Sequence, residues 1–321
     1  LIPTVTDANL TLGRLSPDHF LGGKMPLSQE LAKKAIGEIS HILGLEIIET
    51  ASGIIEITNS HMERALRLIS VERGYDPREF ILLSFGGAGG LHATALARKL
   101  GIPQVLIPPT ASVLSALGML GANFIKDYTQ TVLFSGNASM ALLVDRFKPL
   151  MQKGLHDLKK ENFLEEEITL QTYLDMRYQG QSYELTIPWN LRTPNYQEIF
   201  KQTYQTAYGS NPPNSNIEVV NLRVKAVGHI NPVPQPRFSK PKRSRKIVPS
   251  FTRKVFISFD DQLVMMDVPF IHGERLVPGQ KLVGPAIIYR DDTTILLGIG
   301  DEAFVDSFLN LIVNIHSNNG L

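Results

Sequence analysis

The chain has 321 residues, 43% apolar and 20% charged, the profile of a globular protein of about two domains. Its 32 Lys and Arg against 31 Asp and Glu leave a net charge of +1, which excludes the concentrated basic excess of a nucleic-acid surface. It contains no cysteine, so disulfides, thiolate catalysis and cysteine-based zinc sites are excluded.

No apolar run reaches membrane-spanning length, and no charged-then-apolar leader opens the sequence, so no membrane partner is expected and a cytoplasmic location fits. The first residue is Leu1, and a fragment of a longer polypeptide is expected. Residues Leu1–Gly23 read as a loop-rich opening in which Asp7, Asn9 and Arg14 either bond local backbone or touch a ligand. Ser28 is placed to cap a helix that runs to Leu43, with Leu31, Ala35, Ile39 and Ile42 on one face and Gly44 as the stop. A longer helix is expected over Glu46–Arg73 on an apolar stripe from Ile47 to Ile69. His61 lies beside that stripe with no ligand partner at i+4, as a surface histidine does.

Asp76-Pro77 turns the chain into Ile81–Leu83, a short apolar run read as a buried strand. Gly86, Gly87, Ala88, Gly89 and Gly90 follow, and then a helical period through Leu91, Ala95, Leu96 and Leu100. Strand, glycine turn and helix form a unit in which the backbone can approach a phosphate and helix N–H groups can receive it. The same glycines also serve a sharp turn with tight helix–strand packing, and the sequence leaves both readings open. The turn matches neither GxxxxGK[ST] nor GxGxxG. A second strand, Gln104–Ile107, ends at Pro108-Pro109, and Ser112–Leu120 reads as a buried helix. This alternation is an α/β signature, and ligands of such sheets bind beyond the carboxyl ends of the strands.

Beyond about Thr129 the pattern changes to α+β. A strand is expected at Thr129–Phe134, a helix at Ser139–Glu161 and a hairpin over Ile168–Pro188 turning at Gln179-Gly180-Gln181. A helix at Tyr196–Tyr208 and a strand at Ile217–Val227 complete the region. His229–Pro249 is a proline-rich linker whose basic run, Lys240–Lys246, is read as solvated. Arg253–Ile315 reads as a small all-β unit. The division expected is 1–129, 130–230, a linker at 231–250, and 251–321. The hairpin cluster with Asp175 and Arg177 is a pocket wall or a structural corner. No HExxH, GxSxG or histidine–carboxylate ligand set is present, so catalytic residues and a metal site are not identified.

Six stretches together resemble the hydantoinase A/5-oxoprolinase family, which also includes acetone and acetophenone carboxylase subunits. They are TVTDANLTLGRL (Thr4–Leu15), FLGG (Phe20–Gly23), VERGYDPREFILLSFGGAGGLHA (Val71–Ala93), IPPTASVLSALGML (Ile107–Leu120), DMRYQGQSYEL (Asp175–Leu185) and GPAIIYRDDTT (Gly284–Thr294). The resemblance implies the second half of an actin-like, ribonuclease-H-like ATPase core over 1–129, followed by the α+β region and the C-terminal β unit. It implies ATP and Mg²⁺ as cofactors, with acidic metal ligands upstream of Leu1, and Gly86, Gly87, Ala88, Gly89 and Gly90 as the nucleotide turn. Asp7, Asn9, Arg14, His92, Asp175 and Arg177 are then substrate-contacting or structural. The implied activity is ATP-dependent opening of a cyclic amide, a hydantoin or 5-oxoproline, through a phosphorylated amide oxygen, together with a second, B-type subunit. The alternatives are an ATP-dependent ketone carboxylase subunit and a non-catalytic assembly domain.

Overall fold

The structure, a computed structural model, describes residues 2–190, 194–212, 215–231, 233–242, 246–259 and 262–316. In chain order its elements are α1 (Val5–Thr11), α2 (Gln29–Leu43), α3 (Ile47–Ile69), β1 (Ile81–Leu83), α4 (Ala93–Leu100), β2 (Gln104–Ile107), α5 (Leu114–Leu120), β3 (Phe124–Ser135), α6 (Met140–Lys160), β4 (Ile168–Tyr178), β5 (Leu185–Trp189), α7 (Tyr196–Tyr208) and β6 (Ile217–Gly228). Seven strands follow: β7 (Phe251–Phe259), β8 (Gln262–His272), β9 (Lys281–Val283), β10 (Ala286–Tyr289), β11 (Thr294–Leu297), β12 (Glu302–Val305) and β13 (Leu311–Asn314). No helix among the described residues is long and apolar enough to cross a membrane.

Local chemistry sets most helix ends. Ser28 accepts the Leu31 N–H at 3.2 Å to start α2, and Gly44, left-handed at φ 67°, stops it. Ser139 caps α6 in the same way, and Gly209 closes α7. Thr4 and Asp7 cap each other's N–H groups and start α1, so the opening segment is helical where a loop is expected.

The described residues divide into two compact units, one made of the chain up to Leu117 and from Pro234 onward, the other of Gly118–Val233. In the first unit, β1 and β2 are parallel and joined through α4, the crossover connection that parallel strands need. The sheet continues in the order β1-β2-β13-β12-β9, with β13 antiparallel to β2 and Leu311 opposite Ile107. A second sheet, β11-β10-β8-β7, supplies Ile288, Ile295 and Leu297 to a core shared with Val105, Ile107, Leu311 and Val313. Helices α1, α2 and α3 pack through Ala8, Leu12, Ile36, Ala51 and Ile55. The second unit is an antiparallel sheet, β3-β6-β4-β5, on which Phe147 of α6 and Phe200 of α7 join Leu174, Met176, Leu222 and Val224 in one core.

The fold is mixed α/β, as expected, with four differences. The C-terminal strands do not stand apart as a separate β unit, because β9, β12 and β13 complete the sheet that β1 and β2 begin. β1 is an edge strand, and Ile81 is 55% exposed where a buried strand is expected. On α2 the buried stripe is Ala32, Ala35, Ile36 and Ser40, one position round from the expected face, leaving Leu31 and Ile42 exposed. Both stripes satisfy a helical period, and the small residues win because they let α1 approach closely. Residues of 112–120 form a short helical turn followed by α5, whose Met119 and Leu120 are exposed rather than buried.

One carboxylate ties three parts of the first unit together. Asp301, fully buried, accepts hydrogen bonds from Arg98 Nη2 of α4 at 2.5 Å, from the Gly298 N–H at 2.8 Å and from the His316 N–H at 3.2 Å. Replacing Asp301 with Ala leaves three donors unmatched and is expected to lower unfolding free energy by about 3 kcal/mol, read as a shifted midpoint in urea denaturation; an unchanged midpoint refutes it.

Candidate functional site

The glycine turn follows β1 and does several separate jobs. Gly86 is left-handed at φ 87°, and its N–H donates to the Ala111 carbonyl at 2.7 Å. A Cβ on Gly90 would stand 2.7 Å from the Thr294 carbonyl oxygen, so this residue lets the turn lie directly under β11. A Cβ on Gly87 would meet only the Asp292 carbonyl, at 3.4 Å. A 3₁₀ turn at Gly89–Leu91 intervenes before α4, which therefore starts at Ala93 rather than directly at the glycines. The N–H groups of Gly87 and Ala88 have no hydrogen-bond acceptor among the described residues.

Gly87 and Ala88 line a cavity of about 230 Å³ together with Asn9 of α1, Leu15, His19 and the loop Arg290–Thr294. Thr293 fastens that loop to the turn, its hydroxyl donating to the Gly87 carbonyl at 3.0 Å. Asp292 accepts a 2.5 Å hydrogen bond from the Ser112 hydroxyl. Arg290 is 8% exposed, and its Nη1 donates to the Pro108 carbonyl at 2.8 Å. Burial pulls its guanidinium pKa down, with Asp292 and Glu274 pulling it back up. Beside the cavity, His272 Nδ1 lies 2.9 Å from Glu274 Oε2, and Glu274 Oε1 accepts the Asp291 N–H at 2.9 Å. Ligand atoms of His272, Glu274 and Asp291 lie within 4.8 Å of one another, close enough to share a cation. Glu274 and Asp291 are exposed, and the hydrogen bond from the Asp291 N–H to Glu274 accounts for their closeness.

Of the residues singled out in the sequence, Asn9, Gly87 and Ala88 come together at this cavity. Asn9 is buried, and its Nδ2 donates to the Val5 carbonyl at 3.1 Å. Asp7 is occupied in the α1 cap. Arg14 lies in the interior, its Nε donating to the Phe256 carbonyl, and burial pushes its pKa down to about 10 against the pull of Glu56. Gly89 and His92 border a different, apolar cavity with Met62, Leu66 and Phe85. Buried His92 pairs through Nδ1 with Asn59 Oδ1 at 2.8 Å. Asp175 and Arg177 lie on β4 in the second unit, where they tie strands: Asp175 accepts from Thr186, Asn221 and Arg223, and Arg177 pairs with Glu218 at 2.6 Å.

Sequence reasoning misses Arg290, Asp292 and Thr293. Their stretch, YRDDTT, is visible as a motif, but an Asp-Asp pair between two apolar runs carries the signature of a turn. Only the sheet pairing shows which glycines it faces.

Two outcomes follow from this geometry. Gly90→Ala is expected to lower stability by about 2 kcal/mol, as overpacking does, whereas Gly87→Ala leaves it near the parent value; equal thermal melts for the two variants refute the assignment. Burial, and then the charge of Arg14, hold the His92 pKa below the ordinary imidazole value. The folded state therefore keeps His92 neutral while the unfolded chain takes up a proton first. The resulting stability is complete above about pH 6.5 and is lost as pH falls through the lowered folded value. In His92→Gln this part of the pH dependence of the urea midpoint disappears; a profile identical to the parent's counts against it.

Two family models match the chain end to end: hydantoinase/oxoprolinase over residues 2–128 and hydantoinase/oxoprolinase C-terminal domain over residues 135–314. An uncharacterized protein of Methanocaldococcus jannaschii is 38% identical over 95% of this chain and 44% of its own length. The crystal structure of an ATP-dependent caprolactamase from Pseudomonas jessenii superimposes with a TM-score of 0.76 at 31% identity, over 97% of this chain and 46% of that one. A nucleotide-free acetone carboxylase structure does so with a TM-score of 0.78 at 26% identity, over 98% and 46%. The chain thus spans less than half the length of these relatives. With both models matched in order over nearly all of its residues, the chain belongs to the hydantoinase/oxoprolinase family.

Proposed function

We propose that this chain is part of an enzyme that uses ATP to open a cyclic amide, such as a hydantoin, 5-oxoproline or another lactam, in company with a second subunit. In this reading the first unit carries the second half of an actin-like ATPase core, and Gly86–Gly90 is its nucleotide turn. The observation that carries it is the pair of uncommitted N–H groups on Gly87 and Ala88 in the wall of a cavity. Adjacent free N–H groups suit an oxyanion, and Gly87 presents no side chain to keep one away. The likeness to an ATP-dependent caprolactamase supports the substrate class.

The residues fit the phosphate end of a nucleotide better than the whole. A cavity of about 230 Å³ is smaller than the roughly 300 Å³ at which whole-ligand pockets begin, so the base and sugar need surface beyond it. Asp291 and Asp292 offer the carboxylate oxygens that Mg²⁺ prefers. ATP supplies a phosphoryl group that makes an unreactive amide carbonyl electrophilic. The chain's share is to receive oxyanions at Gly87 and Ala88, to hold the turn through Thr293, and to shape one wall of the substrate space with Asn9. Asp7, Arg14, His92, Asp175 and Arg177 then serve as structural supports.

The likeness to acetone carboxylase favours a second reading, ATP-dependent carboxylation of a ketone. The deciding measurement is ADP release by the full-length protein with its partner subunit. Stimulation by a cyclic amide selects the hydrolase, and stimulation by a ketone with bicarbonate selects the carboxylase. In either case Gly87→Val is expected to lower kcat/KM for ATP by about 100-fold, the size of effect that misplacing a reactant produces, with an unchanged melting temperature. Full ATP use by that variant removes the nucleotide role and leaves the turn as packing in an assembly domain.

A further inference from the structure

A buried cation normally has a carboxylate beside it, because removing an unpaired charge from water is costly. Arg290 breaks that pattern in an informative way. Its side chain is buried, yet it forms no ion pair among the described residues. Two carboxylates act on it through their charge, Asp292 and Glu274, and both are engaged elsewhere. Asp292 accepts from the Ser112 hydroxyl, and Glu274 accepts the Asp291 N–H and lies 2.9 Å from His272 Nδ1. Neither satisfies the guanidinium.

The surroundings are also built to hold Arg290 in place. Its N–H closes the loop onto the Thr293 carbonyl at 2.8 Å, and its Nη1 is pinned by the Pro108 carbonyl. Gly273 leaves room for the stem: a Cβ there would stand 2.5 Å from Arg290 Cγ. One nitrogen is thereby committed to the protein, while Nε and Nη2 have no acceptor among the described residues. Arg290 lines the same cavity as Gly87 and Ala88. A guanidinium presents its donors as a rigid fork that matches the paired oxygens of a carboxylate or phosphate.

We infer that Arg290 is the charge partner of a small oxyanion bound in this cavity, and that the protein's ligand there carries a carboxylate, bicarbonate or phosphate group rather than being a neutral ring. The inference rests on the proposed function only in sharing its cavity. It concerns binding, so a protein that consumes ATP but ignores these anions defeats this inference alone.

The test is calorimetric titration of the full-length protein with inorganic phosphate, bicarbonate, 5-oxoproline and 2-pyrrolidinone, the last being the 5-oxoproline ring without its carboxylate. At least one of the three anions is expected to bind, and the neutral lactam to bind weakly or not at all. Which anion binds best identifies the source of the oxyanion. Arg290→Gln is expected to weaken that binding by about 10- to 100-fold, the span of a hydrogen bond to a charged group, while Arg290→Lys recovers part of it. Gly273→Ala, which keeps the arginine but displaces its stem, is expected to weaken binding as well. Thermal melts of each variant show that the fold is retained. Absence of binding by all three anions, equal binding of 5-oxoproline and 2-pyrrolidinone with no phosphate or bicarbonate binding, or full anion affinity in folded Arg290→Gln overturns the inference.

Discussion

The pairing of β13 with β2 is the constraint on which the first unit depends. It joins two stretches of chain about 200 positions apart, with Leu311 against Ile107 and Val313 against Val105. Such long-range contacts are made only after the entropy of closing a large loop has been overcome. Once they are made, the intervening strands have little freedom. β11 falls over the glycine turn, closely enough that only a glycine fits at position 90. The loop that precedes β11 then faces Gly87, and the Thr293 hydroxyl bonds the carbonyl of a residue 206 positions away. The cavity is a product of sheet order, and it does not exist in either stretch alone.

This origin explains what could be read from the residues and what could not. Signals that act over one helical turn were legible: Ser28, Ser139 and Gly209 mark helix ends in the chain as they do in the structure. The hairpin of β4 and β5 was equally plain, since alternation and a Gln-Gly-Gln turn are local. Sheet membership was not. Nothing in LIVN or EAFV tells that these strands continue a sheet begun 200 residues earlier, and short apolar strands separated by turns look the same in a free-standing β unit. Exposure was hidden for the same reason. Ile81 has the composition of a buried strand, but composition does not reveal that β1 lies at an edge.

The candidate site was half legible. A glycine-rich turn after a strand announces a close approach of some kind, and the chain uses it for two kinds at once: Gly90 for β11 and Gly87 for the cavity. Asp175 and Arg177, which the sequence leaves as a pocket wall or a structural corner, engage strand partners. A charged cluster at a hairpin suggests chemistry, yet strand partners account for it, because a buried carboxylate on a central strand needs matched donors from its neighbours. The burial of Arg290 was invisible, since it is a property of the fold and not of the word YRDDTT.

Hydrogen-bond commitment separates two kinds of polar group in this protein. Asp301 and Asp175 are saturated by protein donors, and groups of that kind rigidify a fold without leaving valence for a ligand. Around the cavity the pattern reverses. Two backbone N–H groups and most of a guanidinium remain uncommitted within a few residues of carboxylates that are themselves engaged. Gly87 and Ala88 are exposed, so their N–H groups meet solvent, and a ligand with acceptor oxygens replaces those hydrogen bonds on binding. Because the walls come from α1, the glycine turn and the loop before β11, such a ligand would also bridge segments distant in the chain. Anything bound there in preference to the unfolded chain therefore stabilises the sheet as well as the site, so the folding of this unit and the occupation of its cavity are thermodynamically linked.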